Sequence, residues 1–105
     1  MLHYRNILFL DLKKFKELND TLGHDAGDAL IKETAKRLND SVRFDDIVFR
    51  IGGDEFIVLI KNVKDSASVE NIVSNILKEC KSPVMIQGKP IEISLSIGIA
   101  ISPDD

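Results

Sequence analysis

The hydrophobic pattern of the chain switches between short apolar runs and helical spacings. Ile7-Leu8-Phe9-Leu10 is a continuous run that ends at Asp11. So short a run, with charged residues after it, predicts a strand buried on both faces and sets Asp11 at its carboxyl end. Phe15, Leu18 and Leu22 then fall at helical spacing, and Gly23 is placed to stop that short helix as a left-handed cap. From Asp25 to about Val42, the positions Leu30, Ile31, Thr34, Ala35, Leu38 and Val42 trace one face of a second helix, with charged residues opposite.

Two β-type runs follow, Ile47 to Ile51 and Phe56 to Ile60, separated by Gly52-Gly53-Asp54-Glu55, which reads as a hairpin. The clearest helix comes next, because Val69, Ile72, Val73, Ile76, Leu77 and Cys80 share one helical stripe, with serines before it as caps and Pro83 after it. Val84 to Ile86 is expected to pair with the stretch from Ile91 to Ile101 across Gln87-Gly88-Lys89. That last stretch alternates strictly, with Ile91, Ile93, Leu95, Ile97, Ile99 and Ile101 facing one way. The order predicts an α/β or α+β domain: a mixed, mostly antiparallel sheet flanked by helices on one or both faces.

Composition narrows the function classes. A chain of 105 residues makes one domain with a modest core. Fourteen basic against seventeen acidic residues give a net charge of -3, which argues against sequence-independent binding to a nucleic-acid backbone. The longest apolar stretches are about half what a bilayer crossing needs. Met1 to Arg5 lack the features of a signal peptide, so a cytoplasmic setting without membrane contact is expected. The one cysteine, Cys80, has no partner for a disulfide and reads as an inert core residue.

Chemistry is concentrated in the carboxylates. Asp11 ends a strand, and Asp54 and Glu55 sit at the tip of a glycine hairpin; if the two elements are neighbours, Asp11 and Asp54 come within a few ångströms. Like charges so close need a cation or a shared proton. Carboxylate oxygens suit Mg²⁺, which keeps several waters and bridges substrate phosphates. Gly52 and Gly53, lacking a β-carbon, let the backbone approach a bulky ligand. The plain alternative is a solvent-exposed turn, with Asp11 capping the next helix.

Residues 9 to 60 resemble the GGDEF domain family, the diguanylate cyclases, at several separated places. These are Phe9-Leu10-Asp11-Leu12-Lys13-Lys14-Phe15-Lys16, Leu18-Asn19-Asp20, Gly23-His24, Gly27-Asp28, Arg50 and Gly52-Gly53-Asp54-Glu55-Phe56. Ser94 to Ala100 looks like a later strand of such domains. The resemblance implies a fold related to polymerase palm and adenylyl cyclase domains, and condensation of two GTP into cyclic di-GMP and two pyrophosphates by a homodimer.

Carried over by position, Asp11 and Asp54 are the side-chain ligands of Mg²⁺ (or Mn²⁺), with the carbonyl of Leu12 completing the set. Glu55, with Asp54, is the candidate to activate the attacking hydroxyl, and the sequence does not decide between them. Asn19 and Asp28 are expected to read guanine, against the alternatives of a helix-end cap and a first-turn acid. Lys14 and the backbone near Phe15 are expected near the phosphates. Arg43 and Asp46 match an inhibitory product site; a surface ion pair is the alternative. His24 reads as structural.

The sequence departs from the family pattern at three places. Lys13 stands where an acid is common. The first strand is not preceded by the family's Leu-Thr-Gly-Leu-x-Asn-Arg helix. The chain stops at Ser102-Pro103-Asp104-Asp105, before a helix with the Ala-Leu-Tyr-x-Ala-Lys pattern. Residues 1–105 are therefore expected to be a partial GGDEF domain. Its rivals are an inactive fragment and a cyclic di-GMP-binding module using Arg43 and Asp46.

Overall fold

The computed structural model describes residues 3–63 and 65–104. Met1 and Leu2, read above for a leader, and the terminal Asp105 lie outside them. The elements run β1 (His3–Leu12), α1 (Phe15–Leu22), α2 (His24–Ser41), β2 (Ile47–Arg50), β3 (Glu55–Val63), α3 (Ser66–Glu79), β4 (Val84–Ile86), β5 (Lys89–Ile91) and β6 (Leu95–Asp104). A four-stranded sheet has the order β2-β3-β1-β6, and β4-β5 form a separate two-stranded sheet. The four ladders among the described residues are all antiparallel, which gives the α+β class.

The main core lies between one sheet face and two helices. Leu8, Leu10 and Leu12 of β1 and Phe56, Val58 and Ile60 of β3 are buried against Ile31 and Leu38 of α2 and Val69, Ile72 and Ile76 of α3. Each such side chain contributes about 1.5–3 kcal/mol when fully buried. The opposite sheet face is open among the described residues: Phe9 is 45% and Phe49 46% exposed, and Ile7, Ile57 and Leu59 are half-buried. This corrects the expectation that β1 is buried on both faces. A four-residue apolar run does not distinguish a strand covered twice from one covered once, since the alternation is visible only in the neighbours' packing.

Three local expectations are also revised. The long strand does not pair with β4. Lys89–Ile91 does so across a Gln87-Gly88 turn whose residues both have positive φ, 52° and 75°, as a two-residue hairpin requires. The chain then crosses to the main sheet, where β6 pairs with β1 from Leu12↔Leu95 to His3↔Asp104. The cap of α3 is Asp65, which accepts from the Ser68 amide at 3.1 Å, and not a serine. Leu77 is 54% exposed, because the stripe through Val69, Ile72 and Ile76 already fills the contact with the sheet.

A second, smaller core joins the amino-terminal half of α2 to the β4–β5 hairpin: Ala26, Leu30 and Ile86 are buried with Leu18, Leu22, Val84 and Ile91 around them. Phe15 and Ile93 touch both cores. Gln87 secures this unit by donating from Nε2 to the carbonyl of Leu22 at the end of α1, 3.1 Å away. Gly23, at φ 93° and ψ 168°, turns the chain between α1 and α2 in a conformation reserved for glycine. Its positive φ is as expected, although its ψ lies outside the left-handed helical well.

Arg37 of α2 fastens the end of α3. Its guanidinium bonds the carbonyls of Glu79 (3.2 Å), Ser82 and Pro83 (3.5 Å), and Glu33 Oε1 at 3.1 Å. A cation is favourable there because the last carbonyls of a helix lack partners. Arg37→Ala is expected to cost about 1–2 kcal/mol in urea unfolding; an unchanged midpoint and slope would show that these bonds add nothing net.

Cys80 is buried, and desolvation pushes its thiol pKa up. The folded value then exceeds the unfolded one. The resulting stability is complete below that unfolded value and is lost as pH rises through the folded one. At pH 7 a maleimide should label Cys80 slowly in the native chain and rapidly in denaturant. Equal rates would contradict the burial.

Candidate active site

The antiparallel register of β1 and β3 sets Asp11 directly opposite Glu55. Both point to the open face of the sheet, since their neighbours Leu10, Leu12 and Phe56 point into the core. Asp54 lies one residue earlier, in the turn between β2 and β3. One carboxylate oxygen from each of Asp11, Asp54 and Glu55 lies within 4.8 Å of the others. Asp11 and Glu55 are exposed and Asp54 half-buried. A hollow lined by Phe9, Ile51, Ser96 and Gly98 opens beside them.

Backbone bonds hold this end of the sheet. The Leu12 amide donates to the Asp54 carbonyl at 2.9 Å, the Lys13 amide to Ser94 at 2.8 Å, and the Ile51 amide to Glu55 at 3.0 Å. In a strand a residue's N–H and C=O point to the same side, so the Leu12 carbonyl also faces the Asp54 turn. An all-oxygen donor set of this kind suits a hard divalent cation. Asp11 is not spent on capping α1, whose N-cap is Lys14 with no side-chain cap bond.

Arg50 braces the turn. Its Nε donates to the Gly52 carbonyl at 3.0 Å and its Nη2 to the Gly53 carbonyl at 2.9 Å. Arg50 has no role assigned from sequence, where its signal is its position two and three residues before the two carbonyls it reaches. Gly52 and Gly53 have no positive φ. Nothing lies within 4 Å of a β-carbon built at Gly53, and at Gly52 only Glu55 does, at 3.6 Å. Their lack of side chains keeps the space above the turn open.

The other predicted residues lie beside this cluster, on α1 and α2. Lys14 stands in the left-handed region at φ 64°, ψ 15°, directly before α1. Without a side-chain cap, the first amides of α1 near Phe15 remain available to an anion. Lys13 and Lys14 line a groove with Glu17, Lys89 and Glu92. Asn19 is half-buried and its Oδ1 is buried without a partner, so it is not a helix-end cap. Asp28 is exposed in the second turn of α2.

Arg43 and Asp46 are paired with each other. Arg43 Nε and Nη2 meet the two Asp46 oxygens at 3.1 and 3.0 Å, the Arg43 amide adds a bond of 2.8 Å, and Nη2 reaches the Lys61 carbonyl at 2.6 Å. The Asp46 side chain is fully buried and that of Arg43 40% exposed. The bond to Asp46 raises the Arg43 pKa above its ordinary value. Phe44, between them, is fully exposed.

Comparison with known proteins agrees with this geometry. The family model for "Diguanylate cyclase, GGDEF domain" matches residues 3–105. The signaling protein YkoW of Bacillus subtilis is 42% identical over 99% of this chain, which spans 13% of YkoW. Diguanylate cyclase TpbB of Pseudomonas aeruginosa is 40% identical over 93% of the chain and 23% of its own length. The crystal structure of the TpbB GGDEF domain superimposes with a TM-score of 0.89 at 39% identity, covering 94% of this chain and 62% of that one. The cyclic di-GMP phosphodiesterase NbdA of the same species is 37% identical over 94% of the chain and 12% of its own length. With the fold, the acidic cluster and the family match in agreement, this chain belongs to the GGDEF domain family.

Proposed function

We propose that the chain is the central part of a diguanylate cyclase domain, which as a cytoplasmic homodimer condenses two GTP into cyclic di-GMP and two pyrophosphates. The supporting observation is the convergence of Asp11, Asp54 and Glu55 within 4.8 Å at the open end of the sheet. Three carboxylates so close repel one another unless a cation or proton joins them. Asp11, Asp54 and the Leu12 carbonyl would hold Mg²⁺ or Mn²⁺. When bound, the metal supplies the positive charge that steadies attacking and leaving oxygens in an in-line displacement at phosphorus.

The chain's own groups account for the remaining needs of the reaction. Glu55, more exposed than Asp54, is assigned to take the proton from the ribose 3′-hydroxyl. The uncapped start of α1 near Phe15, with Lys14 beside it, is assigned to the phosphates. Asn19 and Asp28 are assigned to the guanine edge, and Gly52 and Gly53 leave room for substrate over the turn.

Arg43 and Asp46 are assigned to a product site. A ligand there must take over bonds the pair now makes internally, because both Asp46 oxygens are engaged. A second reading is a cyclic di-GMP-binding module without synthesis; the likeness to NbdA, a phosphodiesterase by name, means that such a domain also occurs in a protein not named as a cyclase. The intact acidic cluster favours the cyclase, since a receptor needs no such cluster.

In the full-length protein with GTP and Mg²⁺, Asp54→Asn is expected to lower product formation by roughly a hundredfold or more, as loss of a metal ligand requires. Undiminished turnover in that variant would remove the metal assignment. Arg43→Ala is expected to weaken cyclic di-GMP binding by about tenfold, the weight of one charge-assisted bond. Unchanged affinity in titration calorimetry would reassign Arg43 and Asp46 to a structural ion pair.

A further inference from the structure

Gly27 lies in the first turns of α2, facing α1 across the Gly23 corner. A β-carbon built there would fall 1.8 Å from Asn19 Oδ1, 2.8 Å from Cγ and 3.2 Å from Nδ2. No side chain but glycine leaves that space, and Asn19 Oδ1 fills it. This oxygen is buried and has no hydrogen-bond partner, and Nδ2 lies on the side of the amide farther from Gly27. The orientation has a physical reason: turning the amide over would bury two unpaired N–H donors in place of one under-satisfied oxygen, and an orphaned acceptor is the more tolerable of the two.

We propose that Gly27 is a specificity-determining positioning residue: its bare α-carbon seats Asn19 with the oxygen toward α2 and the NH₂ away from it, which presents a donor at the same corner as the exposed Asp28, the next residue of α2. This rests on the reading of Asn19 and Asp28 as contacts to a nucleobase. A donor and an acceptor presented at one corner match guanine, whose O6 accepts and whose N1–H donates. Adenine presents the inverse pattern, with an N6 donor and an N1 acceptor. The same two side chains with the amide reversed would lose that discrimination. Gly27 thus acts on base choice without touching the base. Because the atom in the way is the tip of a side chain, a methyl at Gly27 displaces Asn19 and spares the helix, for which alanine is the better residue.

The test is calorimetric binding of non-hydrolysable GTP and ATP analogues, with Mg²⁺, to the chain and four variants: Gly27→Ala, Asn19→Ala, their double, and Asn19→Asp. Gly27→Ala is expected to fold, to lose roughly tenfold in GTP-analogue affinity, the weight of one hydrogen bond, and to discriminate less against the ATP analogue. The double variant is expected to bind as Asn19→Ala does, since Gly27 acts only through Asn19. Asn19→Asp, which keeps the shape and replaces the donor by an acceptor, is expected to bind the GTP analogue least well.

If Asn19→Ala weakens binding and Gly27→Ala does not, the inference falls while the base-contact reading stands. If Asn19→Ala changes nothing, or the unaltered chain binds no GTP analogue, both fall. Wild-type affinity in Asn19→Asp would show that the group presented is not a donor and overturn the proposal. Should Gly27→Ala fail to fold, the double variant decides: a folded double supports the contact, and an unfolded one shows that the methyl meets something other than Asn19.

Discussion

The register between β1 and β3 is the constraint from which the rest of the molecule follows. Leu8, Leu10 and Leu12 must meet α2 and α3 on the same face as Phe56, Val58 and Ile60, and a strand has only two faces. A slip by one residue would expose three leucines and drive Asp11 into the core. The apolar contacts therefore enforce what the acids by themselves oppose, the placement of Asp11 opposite Glu55 with Asp54 at their side. Repulsion in the cluster is small beside the burial of six large side chains, each of which contributes about 1.5–3 kcal/mol.

Much of this was legible in the sequence, for reasons that differ by element. Helix α2 and the hairpin around Gly52 and Gly53 carry strong periodic and turn signals, and the order of family motifs located Asp11, Asp54 and Glu55 before any geometry was known. The pairing of β4 was misread because the alternation from Ile91 to Ile101 is unbroken by any residue that forbids strand. Only tertiary contact shows that Ile91 belongs to one sheet and Leu95 to another. The α3 cap was misplaced because Asp65 and the serines after it are all good caps, and only the structure shows that it is the Asp65 carboxylate that accepts from the Ser68 amide.

Side-chain roles were least legible where they depend on an empty space. Gly27 sits in a helical pattern as an isolated glycine, a signal of close approach that does not say what approaches. Arg50 is one arginine among several until the carbonyls of Gly52 and Gly53 are seen converging on it. The mutual pairing of Arg43 and Asp46 is likewise hidden in the sequence, since their spacing fits a ligand clamp and a closed ion pair equally.

The two hydrophobic cores divide the labour of the domain. The corner bearing Asn19 and Gly27 rests on the cluster of Ala26, Leu30 and Ile86, whereas the acidic end of the sheet rests on the larger cluster, and Phe15 and Ile93 join them. Descendants of such a chain are free to drift in one half while the other stays under selection. If the proposed roles hold, a lineage can lose the acids at the end of the sheet and keep the Asn19 corner intact without any change of fold.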